Sequence, residues 1–310
     1  MITNWPVLEF AKLKDTVTTV QLWTQIVGKI RLVKMPWINH SWHVTLYVSP
    51  RGLTTGSMPC EDGVFQIDFD FIAHKLIIST SEGKEAQLPL QAGSVASFYS
   101  GLLQQLDVLG IRAVIHDKPN ELPEAIAFSA DTKDRTYNGE EMKKLWKAWV
   151  NIHNVLTTFR ARFSGKCSPV HLFWGAFDLA VTRFSGRTAP PHQGGAPNMP
   201  LDVMQEAYSH EVSSCGFWPG SEAFPQPAFY AYCYPATEAF GQQKVLPEKA
   251  FYSTEMGEYF LLYDDVIKAS NPGEYLMQFL QSTYEAAAIT GQWDRESLEA
   301  DLSGYKRVYE

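Results

Sequence analysis

Two stretches of this chain carry titratable groups inside otherwise apolar sequence. Residues 168–192 read "SPVHLFWGAFDLAVTRFSGRTAPPH" and residues 207–220 read "AYSHEVSSCGFWPG". His171, Asp178, Arg183, Arg187, His192, His210 and Glu211 are scattered through them. A carboxylate within "WGAFDLAV" must find a partner, because an unpaired buried charge is costly. Arg183 and Arg187 are the candidates, either as a structural ion pair to Asp178 or as a functional one. Two arginines four apart around a Ser-Gly turn also suit a carboxylate or phosphate ligand. If residues 208–212 form a strand, Tyr208, His210 and Val212 share one face and Glu211 takes the other, which makes His210 the inward group.

A second histidine pair lies in "NHSWH", His40 and His43. On a regular strand their odd spacing sends them to opposite faces. Pro36 and Asn39 start the expected strand near Ser41, which leaves His40 in a turn, while His43 shares a polar face with Thr45 and Tyr47. His43 and His210, with Asp178 or His171, thus form a candidate acid–base set. His40, His43, His171 and His210 are the candidate ligands of a divalent metal such as zinc, iron or manganese. Trp218, followed by Pro219-Gly220, can wall a pocket. Each has a plain structural counterpart: a hydrogen-bonded half-buried histidine, a surface salt bridge, a core aromatic. Cys215 reads as a small packing residue and His192 as part of an exposed loop.

Familiar catalytic signatures are missing. "HEVSS" at 210–214 has Ser214 where a zincin needs its second histidine. "VGKI" and "SGKCS" lack the upstream glycine of a phosphate-binding loop, and neither GxSxG nor GxGxxG occurs.

The 310 residues suffice for a large core. The composition is 45% hydrophobic and 13% aromatic with 9 tryptophans, which favours extended aromatic packing or an aromatic-walled pocket. A net charge of -8 argues against nucleic-acid or anionic-membrane partners, which need a basic face. The opening residues "MITNWPVLEFAKLKD" lack the basic region and apolar run of a signal peptide, and no window approaches a membrane span. Cys60, Cys167, Cys215 and Cys233 have no CxxC spacing. A cytoplasmic protein with reduced thiols is expected.

Several elements must position these groups. Helical spacing is expected from Asp15 to Pro36, in "SVASFYSGLLQQLDVLG" up to Gly110, in "EEMKKLWKAWVNIHNVLTTFRARF" up to Gly165, in "GEYLMQFLQSTYEAAAIT", and briefly after Asp294. Alternation predicts strands in "SWHVTLYVS" and "VFQIDFDFI", a hairpin in "KLIISTSEGKEAQLPL", a short strand in "IRAVI", and runs at 169–185, 207–217, 228–234 and 258–263. The Gly/Pro-rich stretch 186–200 reads as a surface loop.

The expected class is α+β, mainly antiparallel sheets covered by amphipathic helices. Residues 1–117 form an N-terminal half, 118–139 a connection, and 140–310 a C-terminal half of one integrated unit. The halves share a helix–strands–helix order, which an ancient duplication or a common accident explains equally.

The segments "NHSWHVTLY", "SPVHLFWGAFDLAVTRFSGR", "AYSHEVSSCGFWPG" and "QSTYEAAAITGQWD" together resemble a bacterial family of uncharacterised proteins, a domain of unknown function. The resemblance covers nearly the whole chain and implies no reaction, substrate or cofactor. From the residues alone, two functions compete. One is an enzyme with a His/Asp/Arg-lined cavity between the halves, acting on a small anionic substrate with or without a metal. The other is a non-catalytic binding protein for a small anionic or aromatic ligand.

Overall fold

A computed structural model describes residues 5–302. The first helix, α1 (Phe10–Lys34), is buried from Thr19 to Arg31 except at half-buried Gln21. An envelope on all sides explains why its sequence lacks a clear polar stripe. Pro36 follows its end, and the chain then forms a 3₁₀ turn over Asn39–Ser41 with His40 at φ 57 and Ser41 at φ 56.

The first sheet is an antiparallel meander of β1 (Tyr47–Ser49), β2 (Gly52–Thr54), β3 (Met58–Cys60), β4 (Gly63–Asp70), β5 (Lys75–Thr80) and β6 (Glu85–Pro89). Both β2 and β3 pair with β4, as two pieces of one interrupted strand. Phe65, Ile67 and Phe69 of β4 are buried while Gln66 and Asp68 are half-buried, as the alternation requires. A two-residue ladder joins β7 (Gly93–Ser94) to β8 (Asp134–Arg135). Between them α2 (Val95–Val108) starts at Ser94, whose side chain accepts from the Ser97 amide. The long α3 (Gly139–Ala161) is capped in the same way by Asn138.

The second sheet contains β9 (His171–Phe173), β10 (Asp178–Thr188), β11 (His210–Trp218), β12 (Ala228–Tyr234), β13 (Phe251–Ser253) and β14 (Glu258–Leu262), in the order β13-β14-β12-β11-β10-β9. A short helix, α4 (Leu201–Ala207), precedes β11, and α5 (Tyr263–Ile267), α6 (Pro272–Thr290) and α7 (Arg295–Leu298) close the chain. Leu46 and Leu172 exchange backbone hydrogen bonds of 3.0 and 2.8 Å, so the edges of the two sheets meet beside β1 and β9. One hydrophobic core runs through both halves, from Leu8 to Trp293.

The α+β class and the antiparallel sheets are therefore as expected. The halves share a meander and a closing helix, but the second sheet adds the β13–β14 hairpin out of order, so the likeness does not establish a repeat. Other details differ from the sequence reading. The strand expected over 41–49 exists only at Tyr47–Ser49; residues 39–44 form turns because Trp42 and Val44 enter the interior from a loop. "IRAVI" is irregular, α3 stops at Ala161 rather than near Gly165, and α4 occupies residues that carried no helical pattern.

Candidate functional site

Even-numbered residues of β10, β11, β12 and β14 face a cavity of about 940 Å³, within the size range of small-molecule sites. Asp178, Thr182 and Phe184 project into it from β10, Trp218 from β11, Tyr230 and Tyr232 from β12, and Glu258 and Phe260 from β14. Odd-numbered neighbours such as Leu179, Val181, Phe217, Phe229 and Leu261 turn to the core on the other face. The remaining walls come from α1 (Lys29, Leu32), the 35–46 loop (Trp37, Trp42, His43), the segment before Leu122 (Asn120, Glu121) and α4.

Asp178 sits at the centre of the acidic part. Its carboxylate accepts from the Tyr230 hydroxyl, and burial pushes its pKa up to about 6 despite that bond. Tyr230 reaches it from β12 by crossing β11 at Gly216, where a Cβ would lie 2.6 Å from the tyrosine hydroxyl. Glu121 and Glu258 are both raised to about 7 by burial and by the charge of Asp178. Glu121 holds φ 59 and packs over Gly175, where a Cβ would stand 1.9 Å from its carboxylate. Among the described residues, none of the three carboxylates is paired with a lysine or arginine. The Tyr208 and Tyr232 hydroxyls lie 2.9 Å apart nearby.

Lys29 lines a separate stretch of wall. It is 3% exposed, donates to the Asn120 side-chain oxygen, and stands 5.6 Å from the centre of the Trp174 ring. Burial lowers its pKa to about 8. Trp174 is fixed from two sides. Its indole N–H donates to the Val44 carbonyl at 2.8 Å, and it rests against Gly28, where a Cβ would come within 2.0 Å.

Of the candidate histidines, His40 and His43 line the cavity and His210 stands beside His40, while His171 is buried apart. His43 lines the cavity, with Nδ1 3.1 Å from the Ile38 carbonyl, but it stands in a turn and not on a strand face with Thr45 and Tyr47. His40 Nδ1–H donates to the Ala207 carbonyl at 3.1 Å, and its Nε2 accepts from Lys166 at 2.6 Å. That bonding requires the neutral tautomer, and burial lowers its pKa accordingly. The His40 backbone amide donates to Glu206, tying the turn to α4. His210 is half-buried, its ring centre 6.0 Å from that of His40, and its Nδ1 lies 3.0 Å from the Ser209 hydroxyl. His171 is wholly buried against Phe173 with neither ring nitrogen bonded, and burial drives its pKa down to about 3. Among the described residues no three His, Cys, Asp or Glu side chains are grouped to hold a metal ion.

The arginines also lie elsewhere. Arg183 is 1% exposed on the core face, donating to the Phe159 carbonyl, with its guanidinium 3.5, 4.3 and 5.0 Å from the ring centres of Phe159, Tyr284 and Phe163. Arg187 pairs with Glu211 at 2.7 Å and donates to the Gly291 and Gln292 carbonyls at the end of α6. The expected Asp178–arginine contact is thus replaced by Asp178–Tyr230, because positions 178 and 183 have opposite parity on one strand. Trp218 does wall the cavity. Cys215 is buried with its pKa pushed up to about 12, unsuited to nucleophilic attack.

Sequence reasoning passed over Glu121, Glu258 and Tyr230. The last two carry a usable signal, since they alternate in register with Phe260 and Tyr232. Glu121 carries none, because it lies in a polar connection.

The fold and site define an α+β protein with an aromatic-walled cavity floored by an antiparallel sheet. The chain belongs to the family of unknown function DUF5996, whose model matches residues 5–300. No curated protein and no solved structure matches it. Among the described residues no helix is long and apolar enough to cross a membrane.

Proposed function

We propose that the cavity binds a small organic cation with an apolar or aromatic body. One observation carries this reading: Glu121, Asp178 and Glu258 face one cavity without a basic partner. Carboxyl groups facing one largely apolar cavity resist ionising, and a ligand cation relieves that resistance. Aromatic faces around them add attraction for positive charge. The anionic substrate expected from Arg183 and Arg187 is not retained, since neither guanidinium lines the cavity. The mouth suits an apolar body: Leu32, Trp37 and Met256 line it while remaining 42%, 66% and 45% exposed.

The test compares aryl- and alkylamines with alcohols of the same skeleton by titration calorimetry at pH 8. Amines are expected to bind about tenfold or more tightly, the scale of one charge-assisted hydrogen bond. That preference should vanish in the Glu121→Gln/Asp178→Asn/Glu258→Gln variant. Equal affinity of amines and alcohols refutes the reading.

A second reading, proton transfer on the bound molecule, draws on Asp178, whose pKa near 6 suits acid–base work at neutral pH. It requires turnover that Asp178→Asn abolishes while ligand binding persists.

A further inference from the structure

Lys29 poses a problem that the acidic part of the cavity does not solve. Its ammonium is nearly inaccessible in the free protein, and no carboxylate pairs with it among the described residues. A buried ammonium has three donors to satisfy, and the Asn120 amide takes one. The Trp174 ring offers its face, which attracts a cation without accepting a strong hydrogen bond. Lys166 is a second lysine with a neutral acceptor, His40 Nε2, and aromatic neighbours, but it is less buried than Lys29.

Both neighbours of the ammonium are immobilised. The Asn120 side-chain amide donates to the Asn198 carbonyl at 2.5 Å. The Asn120 backbone exchanges hydrogen bonds with the Gln25 side chain, at 2.7 Å to its oxygen and 2.9 Å from its nitrogen. Trp174 is pinned by Val44 and Gly28, as described above. Lys29 is thus held between fixed neighbours on the cavity wall. Pre-organised donors of this kind recognise an anion without a large ordering cost.

We infer that Lys29 receives an anionic group of the ligand, so that the cavity takes a zwitterion: a cationic group at Glu121, Asp178 and Glu258, an anionic group at Lys29, and an apolar body between aromatic walls. This rests on the cation reading above. It adds that the two uncompensated sets of charge, on separate stretches of one cavity's wall, are matched by one molecule. A carboxylate or a phosphate would serve at Lys29, and among zwitterions of suitable size, amino acids and short peptides combine such charges with an apolar body.

The test uses ω-amino acids from 4-aminobutyrate to 11-aminoundecanoate, which vary the distance between the charges, against alkylamines of equal carbon number. Each is titrated into the full chain at pH 7.5. At some chain length the amino acid should bind about tenfold more tightly than its amine, as one charge-assisted contact provides. In Lys29→Met that advantage should disappear while the amine affinity does not fall. Methionine fills the same space without a charge, so this variant should fold; Lys29→Gln serves as a second. Alkylamines that bind at least as well as the amino acids at every length overturn the inference and leave the cation reading standing. An advantage that survives both substitutions also overturns it. If neither series binds, the cation reading and this inference fall together.

Discussion

The Tyr230 hydroxyl donates to the Asp178 carboxylate across an intervening strand, through the gap left by Gly216. The register explains the reach: Ala180 faces Gly216, and Gly216 faces Tyr230, so β11 presents no side chain between them. Asp178 is thereby held in the cavity by a neutral donor. A neutral donor satisfies a lone pair but supplies little compensating charge, which is why burial still dominates its titration.

The first prediction follows from the sign of that shift. Asp178 has a pKa near 6 in the folded protein and near 3.8 unfolded. A raised carboxyl pKa favours folding below about pH 4, and that contribution is lost as pH rises through 6. The Glu121 and Glu258 shifts add in the same direction, up to about pH 7. Asp178→Asn should therefore stabilise the protein by about 2 kcal/mol at pH 8, given roughly 1.4 kcal/mol per pKa unit less the loss of the charged acceptor. At pH 4 its effect should be near zero. Urea denaturation at both pH values measures this; a variant less stable than the parent at pH 8 contradicts it.

Gly216 is the second point of test. A methyl group there meets the Leu179 carbonyl oxygen at 2.5 Å as well as the Tyr230 hydroxyl at 2.6 Å. The tyrosine tip can swing away but the strand backbone cannot, so Gly216→Ala should cost about 3 kcal/mol, at the upper end of overpacking effects. Adding Tyr230→Phe should recover only a part of that loss, since the backbone clash persists. Full recovery in the double variant would locate the strain in Tyr230 alone.

Ligand binding should also move protons. At pH 7 the three cavity carboxyls are partly protonated, because their pKa values lie at about 6 and 7. A bound cation favours their ionised forms, so binding must release protons and affinity must rise from pH 5 to pH 8. Titration calorimetry in buffers of different ionisation enthalpy reads the release directly. An amine that binds with proton uptake, or with affinity falling over that range, is incompatible with an acidic receptor.

Much of this architecture was legible in the chain. The strand-like runs around Asp178, His210, Phe229 and Phe260 marked β10, β11, β12 and β14, and the helical patterns over 94–110, 140–163 and 273–290 marked α2, α3 and α6. Parity along β10 also held the answer for Arg183: five residues from Asp178, it had to face the other way. What was not legible depended on distant closure. Trp42 and Val44 mimic a strand because they alternate, yet they enter the cavity from turns in which His40 and Ser41 take positive φ. Glu121 lies in a polar connection and joins the site because that segment folds onto α1 through Asn120 and Gln25. Such contacts link positions 95 residues apart, beyond any local pattern.

The last prediction separates Arg183 from the ligand. Its guanidinium lies against Phe159, Phe163 and Tyr284 on the core face, bonded to a backbone carbonyl and, among the described residues, to no carboxylate. Burial lowers its pKa, but stacking on three rings offsets part of the desolvation. Arg183→Ala removes those contacts and opens a void, and should destabilise by about 3 kcal/mol. Arg183→Met keeps most of the volume and buries no charge, so it should recover the greater part of that loss. Neither variant should change the affinity for an amine that the parent binds, because the side chain is on the opposite face of β10 from Asp178. Chemical denaturation and calorimetric titration of the two variants test both halves of the claim. A loss of affinity in Arg183→Met, with its stability intact, would place Arg183 in the site after all.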